Sequence, residues 1–165
     1  MKIKFRECNE NERKSVMECV DKFGGHFKIS QFSLFADQFN KAFIYDGTHS
    51  LNLTNIQALS IGLNIGKLNE NAFIPTREFV ALIEPTKNIF EIKKHEDALN
   101  FIKGQDITNF KSDKDKEGYK IYTEEKFNFE ENAFIAIKYK DMVLGIGQFT
   151  AGKIINKISK REKLH

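Results

Sequence analysis

Near the start of the chain the apolar positions repeat with a helical period. Val16, Val20 and Phe23 fall at i, i+4 and i+7 with Met17 alongside, a spacing that lines one face of an α-helix. Asn9 followed three residues later by Glu12 makes a capping-box start, because an Asn side chain and a Glu side chain each satisfy an orphan amide of the first turn. Gly24-Gly25 stops the pattern, since glycine takes the left-handed conformation that a helix end requires. The spacing therefore predicts a helix over residues 10–23.

Beyond it the pattern becomes shorter and denser. His26–Phe35 and Lys41–Tyr45 are runs rich in Phe, Ile and Leu, separated by Ala36–Asn40 and followed by Asp46-Gly47. They read as two strands joined by a loop, with a turn after the second. Phe32, Phe35, Phe39 and Phe43 also fit a helical stripe, and in either arrangement they read as core side chains. Leu51–Leu68 fits a short helix running into a strand, and Phe73–Ile83 fits a strand or a helix, with Pro75 limiting its first turn.

The pattern pauses at Pro85, so Glu84–Asn88 reads as a linker. Ile89–Ile92 is a strand candidate. His95–Ile102 is a short amphipathic helix through Ala98, Leu99 and Ile102, stopped by Gly104. Lys111–Gly118 is a charged loop. Tyr119–Tyr122, Ala133–Tyr139 and Met142–Phe149 are strand-like, the last two meeting at Lys140-Asp141. The second half thus reads as a small barrel-like or α+β module. In the final segment, Ile154, Ile155 and Ile158 are predicted on one side of a helix, with Lys153, Lys157, Lys160 and Arg161 on the other.

Composition narrows the classes open to the chain. It has 165 residues, 41% of them hydrophobic, and its 16 phenylalanines bring much buried area each, which argues against disorder throughout. No apolar run approaches the ~20 residues that span a bilayer, so no membrane association is expected. The basic Met1–Arg6 is followed by the charged Glu7–Lys14 instead of an apolar stretch, so no signal peptide is expected. Cys8 and Cys19 lack Cys-x-x-Cys spacing and read as reduced structural thiols of a cytoplasmic protein.

Net charge is +3 but unevenly placed. Gly152–Leu164 holds five cations against Glu162 alone, a local +4, while the remaining 21 cations and 22 carboxylates carry −1. A near-neutral body with a basic segment reads either as a local anion-binding surface or as a solvated tail.

Catalytic motifs are missing. Gly62-Leu-Asn-Ile-Gly66-Lys67 imitates a phosphate-binding loop, yet three residues replace the four between its glycines and Leu68 replaces the hydroxyl that holds magnesium. Gly145-Ile-Gly147 lacks the third glycine of a dinucleotide fingerprint. His26, His49, His95 and His165 share no metal-ligand spacing, so no metal is expected. No nucleophile elbow appears, and nothing pairs two carboxylates for acid–base work. The expectation is a protein that is not an enzyme and needs no cofactor.

Two segments carry a family resemblance. Gly62–Lys67 followed by Phe73-Ile-Pro75-Thr-Arg77-Glu-Phe79-Val80 resembles a segment shared by the Nip-seven ribosome-biogenesis proteins and the C-terminal part of Sun-type RNA cytosine methyltransferases. Ala98–Ile107, then Met142-Val-Leu-Gly145-Ile-Gly147-Gln148, resembles a PUA domain (pseudouridine synthase and archaeosine transglycosylase). Arg6–Glu12 sits where the Nip-seven proteins place their first acidic helix. The Lys111–Gly118 loop is longer than the family's.

The resemblance implies an α+β protein of two domains: an N-terminal α/β pre-PUA domain over residues 1–85, and a C-terminal PUA-type small β-barrel with short helices over residues 86–165. It further implies a non-catalytic RNA-binding protein acting in ribosome biogenesis, rRNA processing or RNA modification. Its partners would be rRNA or tRNA, together with an RNA methyltransferase or another assembly factor. By the family's pattern the RNA contacts fall on Lys153, Lys157, Lys160 and Arg161, with Lys103 as a further candidate. The alternative is an adaptor that positions an RNA cytosine methyltransferase through its acidic first helix.

Overall fold

The structure, a computed structural model, describes residues 3–47, 61–69, 72–108 and 129–158. The chain divides into two compact units, Met1–Lys87 and Asn88–His165, and is of mixed α+β class. Among the described residues no helix is long and apolar enough to cross a membrane.

In the first unit, strand β1 (Phe5–Glu7) leads into helix α1 (Glu10–Phe23). Helix α1 starts and stops where its polar punctuation dictates. Asn9 accepts the Glu12 N–H and Glu12 accepts the Asn9 N–H, which completes the capping box. Arg6 holds both Glu12 oxygens, at 2.7 and 2.6 Å. At the other end Gly24 (φ 61) donates to Asp21 and Gly25 to Val20, the paired bonds of a Schellman stop. Val16, Cys19, Val20 and Phe23 are its buried side chains.

Strands β2 (Ser33–Asp37), β3 (Lys41–Tyr45), β4 (Leu63–Asn69) and β5 (Ala72–Pro75) complete a five-stranded antiparallel sheet in the order β1-β2-β3-β4-β5. The first of these strands lies further along than its composition suggests. Ile29–Gln31 is a 3₁₀ turn, and Ala36-Asp37, read above as loop, belongs to β2. Ala and Asp are poor strand formers, but Arg6, Ala36 and Ala42 share one register across β1, β2 and β3, and both alanines are fully buried. The helical phenylalanine stripe does not form. Phe35 and Phe43 are buried cross-strand partners, whereas Phe39 lies in the β2–β3 turn and is 47% exposed.

Phe73–Ile83 is strand and then helix. Thr76 caps helix α2 (Arg77–Leu82) by accepting the Phe79 N–H, and Pro75 closes β5 at the sheet's edge, where its missing donor costs nothing. The Phe79 ring meets Phe73 and Phe27 edge-on, at 5.8 and 5.7 Å. Gly62–Lys67 lies in β4 and its approach, an extended segment with no helix to receive a phosphate.

Burial also sets the chemistry of the two free thiols, pushing Cys8 up to about 11 and Cys19 up to about 12. Each unfolded thiol titrates near 9.0, so this contribution to stability is complete below pH 9. It is lost as pH rises through the folded values. At pH 8 the native thiolate fraction of Cys8 is about 100-fold below that of the unfolded chain. A thiol-reactive dye is therefore expected to label neither cysteine on the native timescale and both in denaturant, as read by mass.

In the second unit, strand β6 (Ile89–Ile92) runs parallel to β7 (Phe134–Tyr139). Strands β8 (Met142–Thr150) and β9 (Lys153–Asn156) follow antiparallel, giving the order β6-β7-β8-β9. Helix α3 (His95–Ile102) lies between β6 and β7 in the chain and buries Ala98 and Phe101. Its core is Phe90, Ile92, Ala98, Phe101, Ile135, Ile137 and Ile154, with Leu144 and Ile158 packed against it.

One expectation is overturned here. The final basic segment does not begin as a helix, because Lys153–Asn156 is β9. Ala151 (φ 50) and Gly152 (φ 72) are successive left-handed residues between the paired Thr150 and Lys153, the geometry of a type I′ hairpin. That turn sends the chain back along β8. Lys153 and Ile155 therefore share one face, with Ile154 and Asn156 on the other. Residues 51–60, Lys111–Gly118, Tyr119–Tyr122, Lys160 and Arg161 lie outside the described residues.

Candidate nucleic-acid interface

The interface is built where α3 ends. Lys103 closes the helix, and Gly104 (φ 96) donates to the Phe101 carbonyl while Gln105 donates to Asn100. This is a second Schellman stop, and it turns the chain sharply into Asp106 and Ile107. Ile107 then pairs with Ile154, each donating to the other's carbonyl at 3.0 Å. The loop after α3 therefore lies along the outer side of β9.

Asn156 ties the two segments together. Its side-chain nitrogen donates to the carbonyls of Phe101 (2.6 Å) and Gln105 (3.1 Å). Its side-chain oxygen accepts the Ile158 N–H at 2.8 Å, and its backbone N–H donates to the Asp106 carboxylate at 2.8 Å. The side-chain nitrogen holds the loop to the strand, and the side-chain oxygen fixes the residues that follow β9.

The two glycines of β8 serve the same packing. A Cβ at Gly145 would meet Ile158 at 2.7 Å and Phe101 at 3.1 Å, and one at Gly147 would overlap the Ile154 side chain. Gly145-Ile-Gly147 is thus a flat patch that lets the terminal isoleucines close onto the sheet. That explains the motif without any nucleotide.

The predicted cations fall as follows. Lys103, Lys153 and Lys157 are all exposed. Lys103 and Lys157 stand beside the Asn156 tie, and Lys153 is four residues back along the strand, at most about 13 Å away. Among the described residues none of the three makes an ion pair. Asp106 lies in the same loop as Lys103, and its Oδ1 accepts the Asn156 backbone N–H. Lys160 and Arg161 lie outside the described residues. This arrangement can hold anions. Among the described residues, no three His, Cys, Asp or Glu side chains gather as a metal site would require.

Sequence reasoning overlooked Asn156. Its signal was faint: the hairpin-forming Ala151-Gly152, followed by the β-branched pair Ile154-Ile155, favours a strand, and an Asn at its end can reach backbone on both sides. No protein-family model matches the chain, and no curated protein matches it.

Proposed function

We propose that the chain is a non-catalytic RNA-binding protein acting in ribosome biogenesis or RNA modification, and that its second unit is a PUA-type module. The observation that carries this reading is the Asn156 tie. It brings Lys103, far back in the chain, beside Lys157, so three cations that form no ion pair among the described residues share one supported edge. Two features add support: the order of strand, helix and antiparallel strands, and the flat glycine patch in β8. Phosphate groups are the natural ligands of such an edge, because lysines that neutralise phosphates release the counterions condensed on the nucleic acid, with little sequence preference.

The test is a Lys103→Ala, Lys153→Ala, Lys157→Ala variant titrated with single-stranded RNA. Three phosphate contacts at about −0.7 each give a log–log salt slope of about −2.1, so wild-type affinity should fall about twentyfold between 50 and 200 mM salt through these contacts. In the variant that slope should be lost. A folded variant that keeps wild-type affinity and slope would remove this edge from the RNA contacts. The same result together with co-purification of an RNA methyltransferase would favour the adaptor.

A further inference from the structure

The first unit carries an exposed feature that its own folding does not explain. Lys41 and Lys67 are register partners across β3 and β4, so their side chains leave the same face of the sheet with Cβ atoms about 5 Å apart. Like charges set opposite each other destabilise a sheet. Among the described residues no carboxylate forms an ion pair with either. Phe39 stands at the same end, 47% exposed, in the turn that joins β2 to β3. Turn positions favour Gly, Asn, Asp or Ser, so neither packing nor turn chemistry asks for an aromatic ring there.

That turn is held firmly. Asp37 is 4% exposed, and its Oδ1 accepts the N–H groups of Phe39 at 2.8 Å and Lys41 at 2.9 Å. Asn40 (φ 62) donates to the Asp37 carbonyl and accepts from Leu68, while Gln38 donates to the carbonyl of Lys4, itself an exposed cation. The one carboxylate in this turn is thus buried and bonded to backbone. The ring and the lysines are presented on anchored backbone, so little further ordering is needed when a ligand binds.

We propose that this end of the five-stranded sheet is a contact surface for single-stranded RNA, with Phe39 stacking on a base while Lys41 and Lys67 meet phosphates. The occupant follows from complementarity. A single strand offers flat bases alternating with anions, and proteins that bind such strands combine aromatic platforms with cations. An acidic peptide would satisfy the lysines but would leave the ring without a matching partner. The inference rests on the proposed function only in its choice of ligand, because the residues belong to the other unit.

The experiment titrates the full chain with a labelled 12-nucleotide oligouridine and, separately, with inorganic polyphosphate, which has charge but no bases. Phe39→Ala should weaken oligouridine binding by about 5- to 150-fold, the usual effect of losing one stacked base, and leave polyphosphate binding unchanged. Phe39→Tyr should restore it. The Lys41→Gln, Lys67→Gln pair should make the salt slope shallower by about 1.4 for oligouridine and should weaken polyphosphate binding as well. Wild-type oligouridine affinity in Phe39→Ala, or equal weakening of both ligands, would overturn stacking and with it the proposal. If these variants behave as wild type while the Lys103, Lys153, Lys157 variant loses affinity, this surface fails and the proposed function stands. The reverse pattern keeps this surface and removes the edge beside Asn156. A wild-type chain that binds no oligouridine overturns the inference outright, whereas binding of structured RNA would still leave the proposed function standing.

Discussion

Replacing Asn156 by alanine is expected to destabilise the second unit by about 2 kcal/mol and to weaken RNA binding without removing any charge. The side chain makes three hydrogen bonds: to the Phe101 carbonyl, to the Gln105 carbonyl and from the Ile158 N–H. Phe101 keeps its bond from Gly104, and the Gln105 carbonyl is exposed enough to find water. The half-buried Ile158 N–H is the group left without a partner, and an unsatisfied amide of that kind costs about 1–3 kcal/mol. The functional consequence is separate from the energetic one. With the side-chain bonds gone, the loop is held to β9 only by the Ile107–Ile154 bridge and by the Asn156 backbone N–H to Asp106, so its Lys103 end is fixed less firmly beside Lys157.

Asn156→Asp separates these effects more sharply. The carboxylate still accepts from Ile158 but now faces two carbonyl oxygens that it cannot serve as a donor. Its pKa is therefore raised in the folded state. A raised carboxyl contributes stability that is complete below its unfolded value, near 4, and lost as pH rises through the folded value. Urea unfolding followed by circular dichroism should show this variant gaining on wild type as the solution is acidified, whereas Asn156→Ala should track wild type. Equal stability of all three proteins at neutral pH would mean that the loop does not depend on this residue.

Much of the fold was legible because local chemistry and packing agree. Asn9, Glu12 and Gly24-Gly25 set the ends of α1, and the Val16, Val20, Phe23 face fixes its orientation. The same holds for α3, where Gly104 closes the helix, and for the pairing of β7 with β8. The misreadings share one cause. Ile154, Ile155 and Ile158 satisfy a helical period as well as they satisfy a strand followed by a turn, and only the left-handed Ala151-Gly152 hairpin and the waiting edge of β8 decide between them. Ala36 and Asp37 joined a strand for a similar reason, their register with β1 and β3 outweighing weak propensity. In the candidate site, Lys103, Lys153 and Lys157 could be named from charge and resemblance. Asn156 could not, because its bonds reach about 50 residues back along the chain. Phe39 was read as core, since nothing in the run of phenylalanines distinguishes the one placed in a turn.

The glycine at position 147 offers the other large effect. It is buried in β8, paired with Ile135 on one side and Asn156 on the other, so the backbone cannot slide away from a new side chain. A Cβ there would overlap the Ile154 side chain, which is fully buried and bridged to Ile107 on its far side. Gly147→Ala should therefore cost about 1–3 kcal/mol, the usual range for forcing an extra carbon into a filled core. Ile154→Ala alone should cost about 2–5 kcal/mol, because it opens a cavity between the sheet and the loop. Together the two changes should cost less than their sum, since the added methyl enters the space that the shortened side chain vacates. A coupling of about 0.5–3 kcal/mol is typical of residues in direct contact. Amide exchange across β7, β8 and β9 would report it within the second unit alone. Strict additivity would mean that the collision with Ile154 is not what reserves this position for glycine. In the coupled case, each single variant should also loosen the Ile107 bridge, so RNA affinity should fall in both and recover in part in the double variant.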